Sequence, residues 1–137
     1  MSIHVEIVDA SAIGEQIAAL REEGLGAEPM DGEWLAASES GAIVGVARTF
    51  ERDGDWMLED VWVEPSSRNR GIGRALVTEA KKHRAALWLI CDEEMVSYYE
   101  RLGFIAEPDL PKGLSALNSA KGYWQPPDHI HIAMRSR

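Results

Sequence analysis

The stretch from Val61 to Leu76 reads Val-Trp-Val-Glu-Pro-Ser-Ser-Arg-Asn-Arg-Gly-Ile-Gly-Arg-Ala-Leu, a β-branched strand that runs into a basic, glycine-punctuated turn and then a helix. Such a turn is suited to a phosphate. Gly71 and Gly73 remove side chains that would hold a ligand off the backbone, and their tolerance of positive φ lets successive N–H groups converge. The following helix leaves its first amides unpaired and brings its positive dipole end to the same spot. Arg68, Arg70 and Arg74 add formal charge. Without a ligand, the same residues read as a tight strand-to-helix turn with exposed arginines.

Spacing separates the known phosphate loops. A Rossmann turn needs Gly-x-Gly-x-x-Gly, and counting from Gly71 the third glycine falls on Leu76. A P-loop ends in Gly-Lys-Ser or Gly-Lys-Thr, where this chain has Gly73-Arg74-Ala75. What remains is Arg68-x-x-Gly71-x-Gly73 after a Val-x-Val-x-Pro strand. This pattern resembles the signature of the GNAT superfamily, the acetyl-CoA-dependent N-acetyltransferases. Residues Asp92 to Phe104 resemble that family's later motif, a polar residue after the fifth strand and then a helix ending Tyr-x-x-x-Gly-Phe, here Tyr99 to Phe104. The two motifs stand in the family's order, and the resemblance covers Trp56 to Pro108 well.

The resemblance implies an α/β (α+β) fold: a mixed, mostly antiparallel central sheet of six to seven strands flanked by helices, with one β-α-β crossover carrying the coenzyme turn. It implies acetyl-CoA as cosubstrate, with no metal. The coenzyme would lie against Val61, Trp62, Val63, Arg68, Asn69, Arg70, Gly71, Ile72, Gly73, Arg74, Asp92 and Tyr99. A primary amine, on a small molecule or a peptide, would be acetylated by direct transfer, since no thiol or serine sits beside a base in either motif. An alkylamine with a pKa of about 10.4 is mostly protonated at neutral pH, so a base is required. Glu59 is the first candidate and Asp60 the second; by strand period they should point to opposite faces. Tyr99 would protonate the departing thiolate, and Tyr98 would pack. Two positions depart from the family pattern: Asp92 stands where Asn is usual, and Met95 where a small residue is. A non-catalytic acyl-CoA-binding or interaction module would keep the turn as well.

The rest of the chain bounds this reading. Its 137 residues suffice for a single domain, 1–137. A hydrophobic fraction of 45% and a charged fraction of 27% are those of a soluble globule, with no apolar run as long as a membrane span and no signal-peptide pattern. A cytoplasmic protein is expected. The net charge of -9 argues against nucleic acid and suits a cationic acceptor. Cys91, the single cysteine, ends an apolar strand and reads as a buried spectator. His129-x-His131 lacks a third ligand at metal-site spacing and reads as an edge-strand pair. Trp62 and Trp88 read as core.

Periodicity predicts a first strand over Ile3 to Val8 with Ile3, Val5 and Ile7 inward, then a helix capped by Ser11 with Ile13, Ile17 and Leu20 on one face. Glu33 to Ser38 and Ala42 to Glu51 form a hairpin, Trp56 to Val63 the fourth strand, Gly73 to Arg84 a helix with Ala75, Leu76 and Ala80 inward, and Ala86 to Cys91 the fifth strand. Phe104 to Ala106 and His129 to Met134 complete the sheet. Glu107 to Asp128, with four prolines, reads as a long loop that folds over the acceptor site or onto a second subunit of a homodimer, or equally as an ordered surface loop pinned by Trp124.

Overall fold

Two glycine turns fold the first half of the chain into a meander. Ser40-Gly41 and Asp53-Gly54 all take positive φ, the conformation that lets a two-residue turn follow the twist of its strands. They join β2 (Glu33–Glu39) to β3 (Ala42–Arg52) and β3 to β4 (Asp55–Val63). The structure, a computed structural model, describes residues 2–26, 30–118 (backbone alone from 116) and 131–137. β1 (His4–Val8) pairs antiparallel with β2, and α1 (Gly14–Glu22) follows a short 3₁₀ turn. After β4 come α2 (Ile72–Lys82), β5 (Leu87–Asp92), α3 (Val96–Arg101), β6 (Phe104–Ala106), α4 (Lys112–Asn118) and β7 (His131–Ser136). The described residues form one seven-stranded sheet in the order β1-β2-β3-β4-β5-β7-β6, mixed and mostly antiparallel as expected. None of the described helices is long and apolar enough to cross a membrane.

The parallel joint between β4 and β5 matters most for the site. It has only two residue pairs, Trp56 with Leu87 and Met57 with Trp88. Beyond them the strands diverge, leaving the β5-facing edge of Leu58 to Val63 without a ladder. On its other edge β4 stays paired with β3, but the register slips: Arg48 opposes Asp60 while Thr49 opposes Leu58. Glu59 is therefore the extra residue of a β-bulge.

That bulge overturns the expected alternation. Leu58 and Trp56 pack with the cluster beneath α2, and so do Val61 and Val63, an odd step further on. A strand of strict period two would have separated these pairs. Glu59 and Asp60 share the step that resets the pleat and are not simple opposites.

One face of the sheet is covered by α2, whose Ile72, Leu76, Val77 and Ala80 are buried at helical spacing. Val77, not the half-buried Ala75, supplies the inward contact beside Leu76 and Ala80. Gly45 permits this approach: a Cβ there would stand 3.0 Å from Ile72 Cγ2 and 3.2 Å from Leu76 Cδ1. Burying Leu76 alone is worth roughly 1.5–3 kcal/mol. On the opposite face Ile13 of the 3₁₀ turn and Leu20 of α1 cover Trp34, Val46 and Trp62, while Leu114 of α4 covers Phe50, Met57 and Trp88.

Three local expectations are corrected. Ile7 is 57% exposed, because β1 is an edge strand that reaches past the helices covering either face. The cap at the first helical turn is Asp9, whose Oδ1 accepts from the Ser11 amide at 3.0 Å; Ser11 is the donor, not the cap. Part of the supposed long loop is helical: α4 begins after Pro111 and is held so close to the β3–β4 hairpin that a Cβ at Gly113 would lie 2.7 Å from the Arg52 carbonyl oxygen. The remainder of that segment, with His129 and its predicted strand start, lies outside the described residues.

Candidate active site

Three elements meet at the start of α2. Asn69 (φ 64°) and Gly71 (φ 84°) both take left-handed conformations, so the turn curls its amides to one side before the helix begins. Gly71 is the N-cap and offers no side chain to the helix, and the first turn carries no acidic residue. The leading amides of an eleven-residue helix thus have no side-chain cap among the described residues, in a turn whose Gly71 has open space around it. An anion of phosphate size fits these residues.

From this turn a cleft of about 590 Å³ runs along β4. Of the residues singled out in the sequence, Val61, Trp62, Val63, Arg68, Asn69, Gly71, Ile72, Gly73, Arg74 and Tyr99 line it, together with Glu23, Leu25, Met95 and Tyr98. Arg70 and Asp92 stand outside the lining. Arg70 turns to Glu39 on β2 at 2.6 Å, and Asp92 pairs with His131 on β7 at 2.9 Å. Glu59 and Asp60 lie on the bulge just below the cleft-lining part of β4.

Asp60 is fully engaged. Its Oδ2 accepts from Arg48 Nε at 2.9 Å and its Oδ1 from the Gly26 amide at 3.1 Å, with both side chains about 2% exposed or less. Arg48 also donates to the Asp31 carbonyl at 2.8 Å. The pair therefore ties β3 and the bulge to the backbone on both sides of residues 27–29. A carboxylate so committed is a strut more than a base. Glu59, half-buried beside it, remains the candidate proton acceptor on β4.

Both tyrosines border the cleft. Tyr99 packs edge-on against Phe104 (5.8 Å between ring centres) and Tyr98 (5.1 Å). Burial pushes its phenol up to about 12, so it stays protonated. Tyr98 is more than packing: its hydroxyl lies 3.6 Å from where a Gly73 Cβ would be, over the start of α2. Burial raises it too, opposed by the charges of Arg74 and Arg101. Cys91 is buried beneath, as its place at the end of an apolar strand led us to expect, and the same cause pushes its thiol up to about 11.

Glu23 was missed in the sequence. As the C-cap of α1 in a Glu-Glu-Gly run it carries only a helix-end signal. Its partners lie 39 and 45 residues away: the Trp62 indole N–H donates to Oε2 at 2.7 Å, and Arg68 Nη2 donates to both oxygens at 2.8 and 3.0 Å. The Trp62 bond first, and Arg68 second, hold the Glu23 carboxyl below its usual range. Arg68 is thereby drawn from the turn toward α1. Among the described residues no cluster of three or more His, Cys, Asp or Glu could hold a metal ion.

A sequence profile of the acetyltransferase (GNAT) domain matches residues 30–106, more than half of the chain. The chain belongs to the GNAT family. Among curated relatives, histone acetyltransferase TAP1 of Glycine max is 30% identical over 83 residues, covering 56% of this chain and 36% of that protein, so the match spans about a third of the relative's length. Two solved structures share the GNAT fold over nearly the whole chain. ElaA of Escherichia coli superimposes with a TM-score of 0.70 at 15% identity, covering 99% of this chain and 100% of that one. A GNAT acetyltransferase from Elizabethkingia anophelis with acetyl-CoA bound gives 0.66 at 18% identity, covering 98% and 97%.

Proposed function

We propose that this GNAT domain transfers an acetyl group from acetyl-CoA directly to a primary amine, on a small molecule or a peptide. The observation that carries the reading is the uncapped, glycine-opened start of α2, set at the mouth of a cleft bounded by the unladdered edge of β4. Acetyl-CoA supplies a thioester, an acyl group activated toward attack by an amine.

The residues divide the work. The amides from Gly71 onward, with Arg74, would hold the diphosphate. Backbone groups of Val61 and Val63 lie on the edge of β4 that has no ladder to β5 and would pair with the amides of the pantetheine arm as an added strand does, the Val63 carbonyl once Arg68 Nε, 2.8 Å away, lets it go. Glu59 takes a proton from the amine, a service usually worth ~10² to 10⁴-fold. Asp60 and Arg48 hold the bulge on which Glu59 sits. Tyr99, kept protonated by its surroundings, donates to the departing thiolate.

The deciding experiment pairs calorimetry with acetyl-CoA and a thiol-release assay over a panel of amines. Heat of binding and amine-dependent release of the thiol support the proposal. Heat without release would leave a coenzyme-binding module, and absence of heat at millimolar acetyl-CoA would remove the site altogether. The buried Cys91, with its raised thiol pKa, adds no background to such an assay.

A further inference from the structure

The sheet ends on two edges of unequal length. β6 has three residues, while β1 has five and, among the described residues, is paired on its β2 side alone. An open edge presents unpaired amides and carbonyls, and chains usually blunt it with a proline, a lysine, a bulge or brevity. β1 reads His-Val-Glu-Ile-Val, without proline or lysine, and its five pairs with β2 run without a register shift. It also carries Ile7, at 57% the most exposed large apolar side chain among the described residues.

The sequence of β1 is complementary to itself in one register. A second strand laid antiparallel on this edge by a two-fold axis perpendicular to the sheet keeps the two faces distinct, so the axis must pass through a residue. Centred on Glu6, the pairing would oppose two carboxylates. Centred on His4, it would oppose two imidazoles and leave Ile7 uncovered. Centred on Val5, it sets His4 opposite Glu6 and Ile3 opposite Ile7, each twice, with opposed Cβ atoms about 4.5–5.5 Å apart.

The surroundings fit the same centre. Between β1 and α2 lies a hollow of about 370 Å³, lined by Ile3 and Val5 with Ala75 and Thr78 of the helix among others. Ile3 and Val5 pack on the cluster beneath α2, so the odd-numbered residues of β1 face this side. Ile7 of a second copy then comes down beside Ile3, at the rim of the hollow. The side chain left bare in the single chain is the one this pairing covers.

We propose that β1 is a self-association edge, on which a second copy of this chain pairs antiparallel about Val5 to make one sheet continuous through two molecules. A five-residue edge is too short to bury the roughly 1,000 Å² of a stable complex, so the dimer is weak and forms with concentration. The net charge of -9 on each copy opposes it at low ionic strength and is largely screened at about 0.15 M salt. No residue of β1 lines the cleft, so the inference stands apart from the acetyl-transfer reading.

Sedimentation velocity at about 0.15 M salt, from about 10 µM to about 1 mM, should show the mean mass rising toward that of two chains. The side chains of His4 and Glu6 are 70% and 62% exposed, so their charges can be changed without disturbing the fold, which thermal melts check. His4→Glu opposes carboxylates at both pairs and should raise the dissociation constant by roughly tenfold. Glu6→Lys should do the same, although it makes the chain less acidic and so lowers the general repulsion. The double variant, His4→Glu with Glu6→Lys, restores opposite charges across the axis and should return to within about threefold of wild type. Hydrogen exchange gives the location: the β1 amides that face away from β2 should exchange more slowly at the highest concentration than at the lowest. A wild-type chain that stays monomeric throughout, single variants that associate as well as wild type, a double variant no better than the singles, or a dimer with unprotected β1 amides overturns the proposal.

Discussion

The indole N–H of Trp62 donates to Glu23 Oε2 at 2.7 Å, joining the end of α1 to the cleft-lining part of β4. The same carboxylate holds Arg68, so one acidic side chain neutralises a cation that the phosphate turn would otherwise present. Glu23→Gln keeps an acceptor for the indole and releases Arg68. Acetyl-CoA should then bind roughly fivefold more tightly, with the gain shrinking as salt is raised. Calorimetry at two ionic strengths checks this.

Acid should undo the same contact. The Glu23 carboxyl binds its proton less readily folded than unfolded, so its contribution is present above pH ~4.5 and fades as pH falls through the lowered folded value. As pH falls through that lowered value the fluorescence of Trp62, obtained by difference from Trp62→Phe, should shift as its partner protonates. In Glu23→Gln that transition should vanish.

Gly71 and Gly73 should respond differently to a methyl group. At φ 84° Gly71 has open space around it, so Gly71→Ala costs only the left-handed strain, about 1–2 kcal/mol of stability. Gly73 is not left-handed, and its Cβ would meet Tyr98, Val61 and Val63 at ordinary contact distances of 3.6–3.9 Å. Gly73→Ala should fold normally and still weaken acetyl-CoA by narrowing the cleft. Thermal melts and calorimetry on the two variants separate strain from obstruction.

Removing one member of the buried Arg48–Asp60 pair strands a charge. Asp60→Ala should cost about 3–5 kcal/mol, whereas Arg48→Met combined with Asp60→Leu should recover most of that stability. If the pair acts as the strut of the bulge, the double variant melts near wild type and yet shows a raised KM for the acceptor.

Cys91 should be inert to a thiol dye at pH 8 in the native protein and react on unfolding, since burial raises its pKa to about 11.

Much of this was legible in the chain because the signals were local. The turn at Gly71, the hairpin glycines and the alternation of β2 and β3 each lie within a few residues, and the seven strands follow closely. The failures were non-local. Whether Ile7 is covered depends on the edge position of β1, and the step at Glu59 appears only when β3 is laid beside β4. Glu23 could not be tied to Trp62 and Arg68, nor Asp92 to His131, because each partner comes from a distant strand or turn. Of the candidate site, most of the cleft-lining backbone was visible; the ion pairs that set its charge were not.

Among the described residues, the ladder between the four-strand raft β1–β4 and the three-strand raft of β5, β7 and β6 has two rungs, and side-chain packing beneath α2 makes up the rest of the joint. Such a seam is compliant, and a guest chain lying in it serves as a third brace between the rafts. Coenzyme occupancy should stiffen the whole molecule, slowing amide exchange on strands the ligand never reaches.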